Sequence, residues 1–446
     1  MARQSSTRRL NIWANGLRVG QWQLPTNGND TLTYDPHWIA SPQGRPLSLS
    51  MPFTLDNAPL RGAMVRNYFD NLLPDSDAIR RRIQKRFHTL STTAFDLLAE
   101  IGRDCVGAVQ LLPEGQTPEN VQTIEAEILD DAQIANLLRL TAAMPTAIGQ
   151  HDDSDEDFRI SIAGAQEKTA LLRHQGQWCR PLGATPTTHI FKLPLGLVGN
   201  RQADMRTSVE NEWLCANILR RFGLPVAGCD IAHFEDQKVL IVERFDRHMS
   251  GQGYWLRMPQ EDFCQATGTP ADAKYESDGG PGIIQIARLL QQSETSKHDL
   301  RVLLTAQLLF WLMAATDGHA KNFSIFLLPG ARYRLTPLYD VLSAWPVTGK
   351  GPNKLDANRL RLAMAVKGKN THYRLRDIQR RHFNHTAALC GWGPNMEDVI
   401  TAVLDQLPGI LDTAANDLPA EFPEDVFTAI RDGMEQAAER LARMPS

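Results

Sequence analysis

The sequence predicts an α+β protein in two parts, a β-rich N-terminal part followed by a longer, mainly helical one. Three observations carry that expectation. Short β-type runs broken by Asn-Gly pairs lie between about residues 10 and 55. A polar, acidic stretch interrupts the chain from Thr141 to Asp157, and the segments after about residue 255 are mostly helical in pattern, with one hairpin signal among them.

At 446 residues the chain is long enough for two or three domains with their own cores. A content of 42% hydrophobic and 22% charged residues excludes disordered, collagen-like and membrane compositions. Lys and Arg number 47 against 51 Asp and Glu, a net charge of −4, so any DNA contact has to come from a local patch or a partner. The six cysteines (Cys105, Cys179, Cys215, Cys229, Cys264, Cys390) form no C-x-x-C pair, which excludes a zinc knuckle or redox dithiol and points to reduced thiols. Arg3, Arg8 and Arg9 precede no apolar signal core. The most apolar run, Val302 to Ala315, reads as a buried helix and is shorter than the roughly 20 residues of a bilayer crossing. The expected compartment is the cytoplasm, with no membrane partner.

Taken in order, Leu10 to Trp13, Val19 to Leu24 and Leu32 to Tyr34 read as strands of a small sheet, turned at Asn15-Gly16 and Asn27-Gly28. From Tyr68 to Leu98 the pattern is helical, with Pro74 and Asp75 near a start and Arg80, Arg81, Arg82, Lys85 and Arg86 on a solvated face. The acidic stretch places a domain boundary between residues 148 and 149. Strand-like segments follow at Phe158 to Ile162, Thr169 to Arg173 and His189 to Leu193, then a helix from about Ser208 to Phe222 stopped by Gly223, then a strand at Val239 to Arg244. The remainder is mainly helical, apart from a hairpin of Phe323 to Leu328 with Tyr333 to Pro337. No internal repeat or low-complexity tract occurs.

The sharpest chemical feature is Thr316-Asp317-Gly318-His319-Ala320-Lys321-Asn322, followed by Tyr339-Asp340 beyond the hairpin. Asp317 and Asn322 have the D-x-x-x-x-N spacing of kinase catalytic loops, where the Asp receives or orients a substrate hydroxyl and the Asn binds Mg²⁺. Asp340 then falls where a second metal-binding carboxylate is needed, since Mg²⁺ takes a few protein oxygens plus phosphate and water. The plain alternative is that Asp317-Gly318 caps a helix and Asp340 starts another.

Upstream, Ile160 to Lys168 joins two strands through small residues that let backbone N–H groups approach phosphates, or forms an ordinary hairpin. No G-x-x-x-x-G-K-[ST] occurs, which argues against a Walker-type site. Lys192 lies in an apolar strand-like run and needs a partner if buried; Glu210 and Glu212 on the next helix are the candidates, with Glu212 preferred. Glu243-Arg244-Phe245-Asp246 ends a strand where a hinge between two lobes offers backbone groups to adenine. The deciding feature is order: small-residue loop, strand lysine, helix glutamate, hinge, catalytic Asp with its Asn, then metal Asp.

Over nearly its whole length the chain resembles the HipA family of serine/threonine kinase toxins, from HipBA-type toxin–antitoxin systems. The likeness rests on Arg45 to Ser50, Phe69 to Ser76, Phe95 to Leu98 and Ile101 to Asp104, and then on Ser161 to Lys168, Thr185 to Pro194, Tyr275 to Gly282 and Thr316 to Asn322. It implies a β-rich domain, residues 1–148, packed on a kinase-like, mainly helical catalytic domain, residues 149–446. The ATP site would lie between the β-rich part of that domain, about 158–245, and its helical part, about 255–446.

By the same resemblance Asp317 is the catalytic aspartate, Asn322 and Asp340 hold Mg²⁺, and Lys192 contacts ATP phosphates. Ile162, Ala163, Gly164, Ala165, Gln166, Glu167 and Lys168 would wrap those phosphates; Glu243 and Phe245 would hold adenine; His319 and Tyr339 would touch nucleotide. Ser161 matches the serine that family members autophosphorylate, and about −1.5 to −2 added charges in a loop meant to cradle ATP's phosphates would expel that loop by repulsion and silence the enzyme.

The implied partners are a protein substrate in translation, an aminoacyl-tRNA synthetase such as the glutamyl enzyme, whose phosphorylation arrests growth, and a small helix-turn-helix antitoxin of the HipB type. The antitoxin would neutralise the toxin and carry it to operator DNA, supplying most of the DNA contacts. A basic stretch (Lys367, Lys369, Arg374, Arg376, Arg380, Arg381) would add phosphate contacts or form solvated surface. This chain departs from the family pattern in a short polar N-terminal tail and in Ala365 to Arg381. Two other readings stay open, a small-molecule phosphotransferase and a catalytically silent co-repressor; intact Lys192, Asp317, Asn322 and Asp340 argue against the second.

Overall fold

The computed structural model describes residues 7–142, 166–199 and 201–446. Ser161, Ile162, Ala163, Gly164, Ala165, the strand expected at Phe158 to Ile162 and the boundary at 148 therefore lie outside the described residues.

The first sheet grows from the turn read in the sequence. Strands β1 (Arg8–Ala14) and β2 (Leu17–Leu24) are joined by Asn15 at φ 49° and Gly16 at φ 82°, the left-handed pair whose twist matches that of the flanking strands. With β3 (Thr31–Tyr34), β4 (Leu60–Arg61) and β5 (Gln110–Pro113) they form a sheet in the order β4-β3-β2-β1-β5. Helix α1 (Pro36–Ala40) follows β3, and α2 (Ala63–Asp70), α3 (Asp77–Phe87) and α4 (Ala94–Ile101) follow β4. Leu10, Ile12, Trp22 and Leu32 are buried in one core with Val65, Phe69, Leu97 and Leu98. Trp22 stacks on Phe69 at 4.0 Å and donates its indole N–H to Asp30 Oδ2.

The basic face of α3 is exposed at Arg81, Lys85 and Arg86, as expected, but not at Arg80 and Arg82. Arg80 pairs with Asp70 at 2.7 Å, and Arg82 reaches Glu167 in the second part of the molecule. Their stems lie along the surface while each guanidinium finds a carboxylate.

Strand β6 (Ala126–Ile128) and helix α5 (Asp131–Ala142) precede residue 148, yet they belong to the next sheet. That sheet adds β7 (Lys168–His174), β8 (Gln177–Pro181), β9 (His189–Lys192), β12 (Cys229–Phe234) and β13 (Gln237–Glu243), in the order β12-β13-β9-β7-β8-β6. Between β9 and β12 come the short pair β10 (Gly196–Val198) and β11 (Ala203–Met205) and then helix α6 (Ser208–Arg221), ended as expected before Gly223 at φ 78°. Ile134, Leu137 and Leu138 of α5 share a core with Leu171, Phe191 and Val239.

The hairpin β14 (Arg247–Met249) and β15 (Trp255–Arg257) leads into the helical part: α7 (Phe263–Ala266), α8 (Ile283–Leu290), α9 (Ser296–Leu312), α10 (Arg380–Leu389), α11 (Glu397–Asn416) and α12 (Glu424–Ala442). Helix α9 is apolar nearly all round and sits at the centre of the largest core, as a buried helix must. Strand β16 (Gln260–Asp262) flanks the expected hairpin, β17 (Ser324–Leu327) with β18 (Tyr333–Leu335).

One further hairpin, β19 (Arg361–Lys367) with β20 (Thr371–Arg374), was not expected. Leu362 to Val366 is a continuous buried run, and short apolar runs do not distinguish strand from helix. In the basic stretch, Lys367 pairs with Glu276 and Arg380 with Glu397. All six cysteines are free thiols. Among the described residues no helix is long and apolar enough to cross a membrane.

A buried charge network ties the first part to the second. Asp104, after α4, accepts from Thr187, Arg244 at 3.2 Å, Arg247 at 2.9 Å and Arg257 at 3.1 Å. Asp246 pairs with Arg244 at 2.8 Å and Arg247 at 3.0 Å. Burial opposes charge on Asp104, but the surrounding guanidiniums outweigh it and hold the carboxyl far below its usual range. The N-terminal part thus grips the segment Glu243 to Arg247 from behind.

Candidate active site

Local structure explains where the polar residues gather. Lys192 ends β9, whose partners β7 and β13 lie on either side, so its strand is central in the sheet. Glu212 lies on the second turn of α6. Lys192 Nζ donates to Glu212 Oε1 at 2.6 Å and to Asp340 Oδ1 at 2.7 Å. Glu210, the other candidate partner, pairs with Lys238 instead. Burial disfavours the charge on Lys192, but Asp340 and Glu212 outweigh it and raise the ammonium's pKa. Lys168, across the ladder from Lys192, is pushed down to about 8 by burial and by its lysine neighbour.

Residues Asp317 to Asn322 fold into a tight turn after α9. His319 N–H donates to the Asp317 carbonyl at 2.8 Å, and Asn322 N–H to the His319 carbonyl at 2.9 Å. Asn322 Nδ2 donates to Asp340 Oδ2 at 3.1 Å, so Asp340 is bound by Asn322 on one oxygen and Lys192 on the other. Asp340 holds this place at φ 62°, a left-handed backbone uncommon outside glycine and concentrated at functional sites. Lys192 and Lys168 keep its carboxyl deprotonated against the effect of burial.

Asp317 is open at the edge of this cluster, its side chain 61% exposed, and Oδ1 accepts from Tyr275 Oη at 2.5 Å. The His319 ring meets Tyr275 edge-on at 5.1 Å; burial, then nearby Lys274, pushes its imidazole down to about 3, so it is neutral at pH 7. Tyr339 turns its hydroxyl to the Lys321 carbonyl at 2.8 Å and to Ser324. Its ring lies 5.7 Å from Phe245, just past β13, while Glu243 is exposed at the strand's end. Gln166 donates to the Leu193 carbonyl, and Glu167 takes Arg82. A shallow recess open to solvent borders the cluster and is lined by Glu212, Val226, Val242, Tyr339 and Asp340.

The donor set fits a magnesium–nucleotide on chemical grounds. Among the described residues no group of three or more His, Cys, Asp or Glu is arranged to hold an ion unaided. A carboxylate and a carboxamide side by side, with two lysines beside them, match an ion that keeps phosphate and water oxygens in its shell.

The structure therefore brings together Lys192, Glu212, Asn322 and Asp340, with Asp317 and His319 on the same loop. Sequence reasoning missed Tyr275, Lys274 and Asp75. The stretch Tyr275 to Gly282 stood out as a motif, yet nothing in it signalled a bond to Asp317.

The model of the HipA-like C-terminal domain matches residues 160–410, and that of the HipA N-terminal domain matches residues 10–140. The chain belongs to the HipA family. Among curated proteins it is 33% identical over 342 residues to the protein named "Putative kinase Y4mE" of Sinorhizobium fredii, covering 76% of this chain and 78% of that one. It is 28% identical over 357 residues to the serine/threonine-protein kinase toxin HipA of Shewanella oneidensis, covering 76% of each. A solved HipA-family chain, from the Shewanella oneidensis MR-1 complex of HipA, HipB and operator DNA, has the same fold. Its TM-score is 0.75 at 23% identity, covering 98% of this chain and 97% of that one.

Proposed function

We propose that this chain is a Mg-ATP-dependent serine/threonine protein kinase acting as the toxin of a toxin–antitoxin module. The observation that carries the reading is the bridging of Asp340 by Lys192 and Asn322, with Asp317 exposed on the same loop as Asn322. Phosphoryl transfer needs little covalent chemistry from a protein; it needs charge neutralisation and in-line positioning. Asn322 and Asp340 would hold Mg²⁺, which supplies neutralisation of phosphate charge. Lys192, oriented by Glu212, holds nucleotide phosphate. Lys168, with Ile162 to Glu167, adds backbone and charge to the phosphate cradle. Glu243 and Phe245 hold adenine at the strand end, and His319 and Tyr339 border the nucleotide. Asp317 orients the acceptor hydroxyl and takes its proton, which requires Tyr275 to release the carboxylate.

On this reading Ser161 is the site of self-inactivation, because the charge of a phosphate there would expel the phosphate-cradling loop by repulsion. The substrate is a component of translation, with glutamyl-tRNA synthetase the leading candidate. The solved relative complexed with HipB and operator DNA supports a helix-turn-helix antitoxin as partner and co-repression through it. The absence of an apolar spanning helix among the described residues is compatible with a cytoplasmic site of action. Expression without any antitoxin tests the proposal: growth arrest by the parent and none by Asp317→Asn is expected, and equal arrest by both would contradict it.

A further inference from the structure

The catalytic loop is held by a carboxylate from the other part of the molecule. Asp75 lies in the turn between Pro74 and Ser76, the N-cap of α3. Its Oδ1 accepts from Lys321 Nζ at 2.6 Å and its Oδ2 from Lys274 Nζ at 2.8 Å. The three side chains are 5% to 14% exposed. Burial opposes charge on Asp75, but the two ammonium groups outweigh it and bring its pKa down to about 2.

Each lysine adjoins a different arm of the site. Lys274 precedes Tyr275, whose hydroxyl is bonded to Asp317. Lys321 precedes Asn322, which is bonded to Asp340. One carboxylate thus sits behind both the acceptor-side aspartate and the metal-side pair.

Asp75 is itself firmly placed. Arg80 donates to the Pro74 carbonyl at 2.7 Å and pairs with Asp70. Asn67 and Asn71 donate to the carbonyls of Gly268 and Thr269, only a few residues before Lys274. This turn of the N-terminal part is therefore docked against the segment that leads into the site.

We propose that Asp75 is a positioning residue for phosphoryl transfer, fixing Asp317 through Lys274 and Tyr275 and fixing Asn322 through Lys321. The inference rests on the kinase reading above. The first part of the chain then completes the active centre rather than only covering it. Displacing reacting groups by about 1 Å costs on the order of 100-fold in rate while leaving ligand contacts largely intact.

The test compares the full-length parent with Asp75→Asn in three measurements: phosphate incorporation with Mg-ATP, affinity for a nonhydrolysable Mg-ATP analogue, and thermal melting. The expected result is a kcat lower by about 30- to 100-fold with analogue affinity within about twofold. Lys321→Met should lose kcat similarly, and the double variant should fall no further than the worse single variant, because both changes remove one contact. Should Asp75→Asn fail to fold, Lys274→Met carries the same comparison, with about a tenfold loss of kcat expected at unchanged affinity. Parental kcat in the folded variant, or parallel loss of kcat, affinity and melting temperature, overturns the inference. A parent that binds the analogue yet transfers no phosphate to itself or to extract proteins overturns the kinase reading, and this inference with it.

Discussion

Lys192 Nζ lies 2.7 Å from Asp340 Oδ1, although the two residues are 148 positions apart in sequence. The pair closes the cluster between sheet and helices, and the ammonium is also bonded to buried Glu212. On the kinase reading, a lysine there has two tasks, to keep two carboxylates company and to meet phosphate.

Replacing it separates those tasks. Lys192→Met leaves Glu212 buried without its cation, at a cost of about 3–5 kcal/mol in urea unfolding. Phosphate transfer should fall by at least about 100-fold, because an oriented charge at the developing phosphate anion is lost.

Gly318 has no room for a side chain. A Cβ there would stand 2.6 Å from the ring of Phe310, which is buried in the helical core. Gly318→Ala should displace the loop carrying Asp317, lowering kcat by about tenfold or more at a stability cost of about 1–3 kcal/mol. Steady-state kinetics and melting curves check both numbers.

The junction network should behave as a unit. Asp104→Asn leaves Arg244 and Arg247 sharing Asp246 and takes from Arg257 the carboxylate it is paired with. Uncompensated buried charge costs about 3–5 kcal/mol, to be read from denaturant midpoints. Since Arg244 and Arg247 flank Phe245 closely in sequence, KM for ATP should rise as well.

Stability should depend on pH through Glu261. This fully buried carboxyl accepts from the Leu49 N–H at 2.8 Å, and burial pushes it from its ordinary 4.5 up to about 8. A carboxyl raised on folding contributes stability that is complete below its unfolded pKa and lost as pH rises through the folded value. Between about pH 4.5 and 8 the parent should therefore lose stability relative to Glu261→Gln, a gap that melting curves at a series of pH values would reveal. Asp262, raised to about 6 by burial against the pull of Lys321, titrates in the same sense in both proteins, and its charge adds to the rise at Glu261.

The motif order was legible in the sequence because its pieces are local. Asp317 and Asn322 share one turn, Lys192 interrupts an apolar strand, and Glu212 falls on an amphipathic helix, so spacing alone exposes them. Asp75 was legible only as a helix start, because its lysines lie 199 and 246 residues away and no periodicity links them. Asp104 was hidden in the same way, its arginines being 140 to 153 positions distant. The pairing of β6 with β8 and the hairpin β19–β20 were missed because pairing partners and burial on both faces are decided by the assembled core.

The kinase reading gives the cluster around Asp340 and Asp317 the transfer of phosphate from Mg-ATP. Its most direct test is to incubate the purified chain and its Asp317→Asn variant with Mg-ATP and map phosphate by intact mass and peptide sequencing. Phosphate on Ser161 in the parent and none in the variant is the expected result. No phosphate on the parent, together with no ATP binding, or equal phosphate on both proteins, would contradict it.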